Sequence, residues 1–234
     1  FKLPSWQYSV EKHYHHWFTN DTFVVKLIKE LDLGDKLITP KSLTSIYYQN
    51  HIYPFNSPGQ LLTFSPLTPF DRLRTGIISL YLKLLPKNLA SSLEKYSALN
   101  WSEKYFGQKA FNIIWKPLLE GKFSKYTKQV NMAWLWARIK KRTFRLSYLI
   151  GGHEVLFAAL VKSIKKNHGL ILTNTSFEPQ KIKKFDKFII TTPSAVFVQM
   201  FPSLPAAYKK RLMQIPHLHA LNMLLISKDK LLTN

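Results

Sequence analysis

The chain contains no cysteine, which removes disulfide scaffolds, cysteine-ligated zinc, iron–sulfur centres and cysteine nucleophiles together. Nothing then argues for an oxidising compartment, and a cytoplasmic location is the expectation. No apolar run approaches the ~18 residues a spanning helix needs. The opening FKLPSWQYSVEKHYHHW has no signal-type apolar core, so an integral membrane protein is not expected. Carboxylates are scarce, 13 against 34 basic residues, and too dispersed to nominate an acid/base pair by spacing. There is no GxSxG elbow. GKFS, Gly121 to Ser124, fails as a phosphate loop, because Lys116 stands where a glycine is required and Phe123 follows Lys122.

What is present is a core-forming composition: 234 residues, 46% hydrophobic and 20% charged, enough for one large domain or two smaller ones. The formal net charge is +21, a surplus that could attract nucleic acid, anionic lipid or acidic substrates. Only Arg72, Arg74, Arg138, Arg142, Arg145 and Arg211 supply the guanidinium fork that base and phosphate recognition favour. The rest is lysine and scattered. Its densest runs, Ala137 to Arg142 and Lys181 to Lys187, are not interleaved with aromatics as a single-strand stacking platform would be. A solvated lysine-rich surface is the main expectation, with peripheral contact to an anionic membrane and nucleic-acid binding as alternatives. His13, His15 and His16 cannot all point one way on a helix and have no carboxylate cluster beside them, so packing is expected before metal binding. Among 33 aromatics, Trp6, Trp17, Trp101, Trp115, Trp134 and Trp136 read first as core.

Along the chain, Asn20 and Asp21 offer caps for a helix with Phe23, Val24, Leu27, Ile28 and Leu31 at helical spacing, ended by Gly34. Ser45 to Tyr48 and Ile52 to Phe55 read as a hairpin. Ser57 caps a turn opened by Pro58. Thr68 and Pro69 open a longer helix whose Phe70, Leu73, Ile77, Leu80 and Leu84 form one apolar stripe, with Pro86 as its stop. Helical patterns continue from Ser91 to Trp115, Pro117 breaks them before a loop, and a helix follows from about Asn131 to Arg142. At Leu149 the texture changes to a glycine turn, a helix with Val155, Leu156, Ala159, Leu160 and Ile164 inward, and a buried strand after Gly169. Lys187 to Thr192 reads as a second strand, followed by Pro193 and a helical stretch, and His217 to Ser227 as a third. The first Met is Met132, and both ends read as cuts within a longer protein.

The runs EKHYHHWFTND, NSPGQLLTFSPLTPFDRLRTGI, NWSEKYFGQKAFNIIWKPLLEGKF, NMAWLWARIKKR, IGGHEVLFAALVKSI and FDKFIITTPSAV, in this order, resemble the FAD-dependent amine oxidase superfamily. The similarity is to its protoporphyrinogen oxidase-like and phytoene desaturase-like branch and covers nearly the whole chain. It implies an α/β flavoprotein of two domains, with an α+β substrate domain. The implied layout is 1–148 as substrate domain, 149–203 as a returning segment of the FAD domain, and 204–234 as a return to the substrate domain. The family's GxGxxG is absent from the eight glycines at 34, 59, 76, 107, 121, 151, 152 and 169. The dinucleotide-binding βαβ unit is therefore expected upstream of Phe1, and a flavin-contacting segment beyond Asn234.

By resemblance, Gly151 and Gly152 match paired glycines leading into the returning helix, Ser176 the strand end near the adenine, and Thr191, Thr192 and Pro193 the strand-end motif near the FAD. An ordinary helix-opening turn and ordinary strand ends are equally consistent with these residues. The implied chemistry is hydride transfer from a tetrapyrrole, a polyisoprenoid or an amine to flavin. Candidate pocket walls are Tyr47, Tyr48, Tyr53 and Phe55 of the hairpin with Trp134 and Trp136; no catalytic residue is nominated. A nucleic-acid-binding module and a non-catalytic scaffold of the same fold remain the alternatives.

Overall fold

The structure, a computed structural model, describes residues 1–13, 15–179 and 185–227. The chain divides into two compact units, Phe1–Leu160 and Val161–Asn234.

In the first unit, β1 (Trp17–Phe18) precedes α1 (Thr22–Glu30), and β2 (Leu37–Ile38) follows a 3-10 turn at Gly34–Lys36. Asp21 sits at the N-cap position of α1 without capping it through its side chain. Its carboxylate instead accepts from the Phe18 amide at 2.9 Å and pairs with Lys141 at 3.1 Å. Ile28 is buried and Phe23 is exposed, so Val24, Ile28 and Leu31 form the packed face. The predicted hairpin is present as β3 (Ser45–Tyr48) and β4 (His51–Pro54), with Tyr48 opposite His51. Gln49 and Asn50 both have positive φ, 48° and 61°, the two-residue geometry whose twist matches antiparallel strands.

α2 (Pro58–Leu62) and α3 (Pro69–Leu84) start as the sequence predicts. Ser57 accepts from the Gln60 amide and Thr68 from the Asp71 amide, each with proline in the first helical turn. The apolar stripe of α3 faces outward. Thr75 and Leu82 are buried, while Phe70, Leu73, Ile77, Leu80 and Leu84 face outward. The helix is apolar on two faces, and periodicity does not say which of two such faces meets the core.

After a 3-10 stretch at Lys87–Leu93, α4 (Ala98–Phe106) ends at Gly107, whose φ is +87°. α5 (Gln108–Ala110) runs through a π-helical turn at Phe111–Trp115 into α6 (Lys116–Phe123). Pro117 therefore sits inside a continuous helical run, directly after the π-helical turn, and does not break it. The 3-10 stretch Ser124–Gln129 leads to α7 (Met132–Lys141), capped by Asn131, which accepts from the Trp134 amide at 3.1 Å. One core joins these helices and the hairpin, with Phe64, Leu67, Leu82, Phe106, Leu119, Met132 and Leu135 at its centre.

β5 (Leu146–Leu149) is the middle strand of the sheet β1–β5–β2, antiparallel to both neighbours. The sequence reading misses it, since partners of two residues leave no period to detect. α8 (His153–Lys166) follows the glycine turn. Leu149 and Leu156 join Ile28 and Leu33 in a second, smaller cluster.

The boundary between the units falls within α8. In the second unit, α9 (Ser194–Met200) follows Pro193 and α10 (Ala206–Met213) follows Pro205. The three strands expected after Gly169, over Lys187 to Thr192 and over His217 to Ser227 are absent among the described residues. The reason is physical: a strand exists only through a ladder, and these segments have no paired neighbour. Their apolar side chains, including Leu170, Leu172, Phe188, Ile189, Leu221 and Leu225, are exposed.

Four of the cations are spent on backbone carbonyls at helix ends. Lys83 donates to the carbonyls of Lys140 and Arg142 at 2.9 and 2.6 Å, at the C-terminus of α7. Lys140 reciprocates on Lys83 and Leu85 at 2.7 and 2.9 Å, at the C-terminus of α3. Arg74 closes α4 through the carbonyls of Lys104 and Tyr105, and Arg72 holds Leu62 and Leu67. The last carbonyls of a helix lack amide partners and carry partial negative charge, so a cation there satisfies both. Burial, with the charges of Lys140 and Arg142 beside it, pushes the Lys83 amine below the usual lysine range.

Candidate functional site

The paired glycines are the one place where the sequence reading and a specific geometry meet. Gly151 and Gly152 have φ of +92° and +74°, a region L side chains avoid. A Cβ on Gly151 would lie 2.6 Å from Val155 Cγ2, and one on Gly152 would lie 2.7 Å from Glu11 Oε1. The turn is closed by the Gly152 amide on the Leu149 carbonyl at 2.9 Å and delivers the chain into α8.

Glu11 occupies the N-terminus of that helix. Its Oε1 accepts from the His153 amide at 2.5 Å and from His153 Nδ1 at 2.9 Å. Ser9 Oγ donates to Glu154 Oε2 at 2.5 Å. Burial alone would raise the Glu11 carboxyl. The His153 amide, Glu11's own amide and the His153 ring outweigh it and hold the group below the usual glutamate range. Trp17 lies 4.6 Å from the His153 ring, and His15 meets that ring edge-on at 5.5 Å.

Sequence reasoning misses Glu11 altogether. It is 142 positions from His153, and nothing local distinguishes it from other surface carboxylates. Of the three histidines, His16 packs beside Phe18 and Tyr148, with ring centroids 5.7 and 6.2 Å apart, while His13 and His15 are exposed. Among the described residues no three His, Asp or Glu side chains could hold a metal ion.

Burial, then the nearby charges of Arg138 and His15, push His16 below the usual histidine value, against a smaller opposite pull from Asp21. The unfolded chain therefore takes up this proton first. Stability of the first unit is expected to fall as pH is lowered from about 7.5 to about 5.5, through the ordinary histidine range. His16→Gln should flatten that part of the profile relative to the parent in urea titrations at each pH. An identical slope in both proteins would show that other groups carry it.

The other predicted site residues divide. Tyr48, Tyr53, Phe55 and Trp134 pack against the helical core, Trp136 is one of its buried members, and Tyr47 is exposed on the hairpin. Tyr53 and Phe55 meet the Phe64 ring edge-on at 5.4 and 5.1 Å. Inside this core Thr75 Oγ1, Ser102 Oγ and the indole nitrogens of Trp115 and Trp136 are buried without hydrogen-bond partners among the described residues. Each is a group that gains from any polar atom reaching it.

In the second unit, Ser176, Thr191, Thr192 and Pro193 are all exposed. Pro193 takes the N-cap position of α9, its carbonyl accepting from Phe197 at 2.9 Å. Phe177 approaches Phe201 at 6.0 Å. The run from Lys181 lies largely outside the described residues, while Gly121 to Ser124 closes α6 and passes into the next 3-10 stretch.

No family profile matches the sequence, and no curated protein matches it. Among solved structures, the chain is similar to the crystal structure of a protein from Exiguobacterium sp. 255-15 assigned provisionally as a protoporphyrinogen oxidase. The TM-score is 0.53 at 15% identity, over 88% of this chain and 53% of that one. The likeness shows the fold. It is a mixed α/β architecture with small sheets. The chain spans about half the length of that relative.

The fit to an FAD is partial. A pyrophosphate needs backbone amides and a positive helix end held free for an anion. At the glycine turn that position already holds the Glu11 carboxylate, which would repel a phosphate. Among the described residues no other glycine-rich turn opens a helix. The pyrophosphate does not fit here.

Proposed function

We propose that these residues form the substrate-side part, with one returning cofactor-side segment, of an FAD-dependent oxidoreductase. Its substrate is apolar or amine-containing, in the range of a tetrapyrrole, a polyisoprenoid or an amine. The observation that carries the reading is the structural likeness across 88% of the chain, which agrees with the order of segments in the sequence. When bound, the flavin would supply the redox chemistry, so the scarcity of paired acids and bases does not weigh against the assignment.

Within this reading residues 1–148 belong to the substrate domain and 149–203 return to the cofactor domain. Ser176, Thr191, Thr192 and Pro193 lie along the dinucleotide. Tyr47, exposed on the hairpin, stands on the substrate side, and Tyr48, Tyr53, Phe55, Trp134 and Trp136 pack in the core behind it. The bare apolar side chains of the second unit are what a sheet leaves when its neighbouring strands come from elsewhere, and they favour an assembly with further protein. The cations of the run Ala137 to Arg142 argue against a nucleic-acid interface. Lys140 is spent on helix carbonyls, Lys141 on Asp21, and Arg142 on the Thr44 hydroxyl at 2.9 Å.

The test is anaerobic. The protein together with any flanking sequence, loaded with FAD, is mixed in turn with a reduced tetrapyrrole, a polyisoprenoid and a secondary amine. Bleaching of the flavin band by one of these classes is the expected result. A flavin that none of them reduces would overturn the oxidoreductase assignment.

A further inference from the structure

The glycine turn uses its backbone amides within the chain. Ile150 donates to the Lys36 carbonyl at 2.9 Å, Gly152 to Leu149 at 2.9 Å and Val155 to Gly152 at 3.3 Å, and the His153 amide donates to Glu11 Oε1. A phosphate cradle is made of such amides turned toward the ligand; here they are committed to protein oxygens. Segment 8–11 lies along the same turn. A Cβ on Gly151 would come within 3.8 Å of the Tyr8 ring, and one on Gly152 within 3.5 Å of the Ser9 carbonyl oxygen as well as 2.7 Å of Glu11 Oε1. Two residues before Glu11, the Ser9 hydroxyl holds Glu154 in the first turn of α8. An incoming anion therefore meets two carboxylates and a carbonyl oxygen.

We infer that segment 8–11 is the resident ligand of this turn, and that Gly151 and Gly152 are glycines for the sake of that segment and not of a cofactor phosphate. Positive φ accounts for glycine at both positions whichever ligand is near. The contacts decide between ligands. A phosphate taking the helix end would have to displace Glu11 from both the amide and the ring of His153. The displaced carboxylate could not go far, because Ser9 stays bonded to Glu154, and like charges a few ångströms apart repel. Glu11 already supplies what a helix N-terminus favours, a negative charge hydrogen-bonded to its first amide. The Ser9 and Glu11 bonds join positions 145 and 142 residues apart, so they fix the start of α8 against the beginning of the chain. The inference stands apart from the flavin reading, whose contacts at Ser176, Thr191, Thr192 and Pro193 lie in the second unit.

The test reads the turn itself. In the isotope-labelled complete chain, the amide signals of Gly152, His153 and Glu154 are followed by NMR during titration with inorganic pyrophosphate, and again with potassium chloride at equal ionic strength. The expected result is that both salts leave these three signals in the same place, while lysines elsewhere respond to pyrophosphate as a chain of net charge +21 should. A saturable shift of the three with pyrophosphate alone would put a phosphate on the turn and overturn the inference. Glu11→Ala is the second arm. Loss of a charged hydrogen bond should speed hydrogen exchange at the His153 amide about tenfold or more, and unchanged exchange would show that the carboxylate does not occupy the turn. Should this variant fail to fold, the parent titration decides alone. Neither arm uses flavin, so failure here leaves the oxidoreductase reading to its own test.

Discussion

Gly152→Val is expected to destabilise the first unit by about 2–4 kcal/mol, whether or not flavin is present. Two effects add. Valine must adopt φ near +74°, where a β-branched side chain is strained. Its Cβ would also stand 2.7 Å from Glu11 Oε1, which pushes the carboxylate off the His153 amide and strips α8 of its N-terminal anion. Gly152→Ala should show the strain with less displacement and a smaller loss. Glu11→Gln should remove the charge while sparing the turn.

The pH dependence has a definite sign. The Glu11 carboxyl titrates lower in the fold than in the unfolded chain. Its stabilisation is therefore present above the ordinary glutamate value of about 4.5 and is lost as pH falls through the lower folded value. Thermal unfolding of the parent and of Glu11→Gln between about pH 7 and about pH 3 checks this. The two curves should converge at the acid end, and a gap that persists there would show that the carboxylate is not what holds the helix.

Phe106→Ala is expected to cost about 3–5 kcal/mol. The ring is fully buried, stacked on Trp115 at 4.4 Å and edge-on to Trp101 at 6.0 Å. Its removal empties the point where α4 meets the π-helical turn. The neighbours cannot relax into the space easily, because Gly107 at φ +87° and Arg74 on the Tyr105 carbonyl fix the end of α4 from outside. Urea unfolding gives the number. A loss under about 1 kcal/mol would mean that the helices around Trp115 collapse into the cavity and that their packing is looser than the ring geometry implies.

Local signals were legible in the sequence, and distant partners were not. Thr68 with Pro69, Ser57 with Pro58, Asn131 and the Gln49–Asn50 turn each specify their element through atoms within a few residues, and each appears where expected. The stripe of α3 was legible but its direction was not, because both faces of the helix are apolar and the pattern held two answers. β5 escaped notice because its meaning lies in residues 17–18 and 37–38, far away in the chain. Pro117 misled because a π-helical turn directly before a proline lets the helical run continue past it. The strands of the second unit illustrate the reverse case. Their composition is right, and the described residues provide no ladder for them. At the glycine turn, the need for glycine was readable from the pair itself, whereas the carboxylate that fills the helix end could come only from the fold.

Under the proposed function, this chain is one part of a flavin site whose pyrophosphate cradle lies outside the described residues. Flavin retention tests it most directly. The 234-residue chain and the same chain with its flanking coding sequence are each purified after incubation with FAD, desalted, and scanned for the flavin absorption band. The prediction is a colourless 234-residue chain and a yellow longer protein with stoichiometric flavin. A yellow 234-residue chain, or a longer protein that stays colourless, would contradict it.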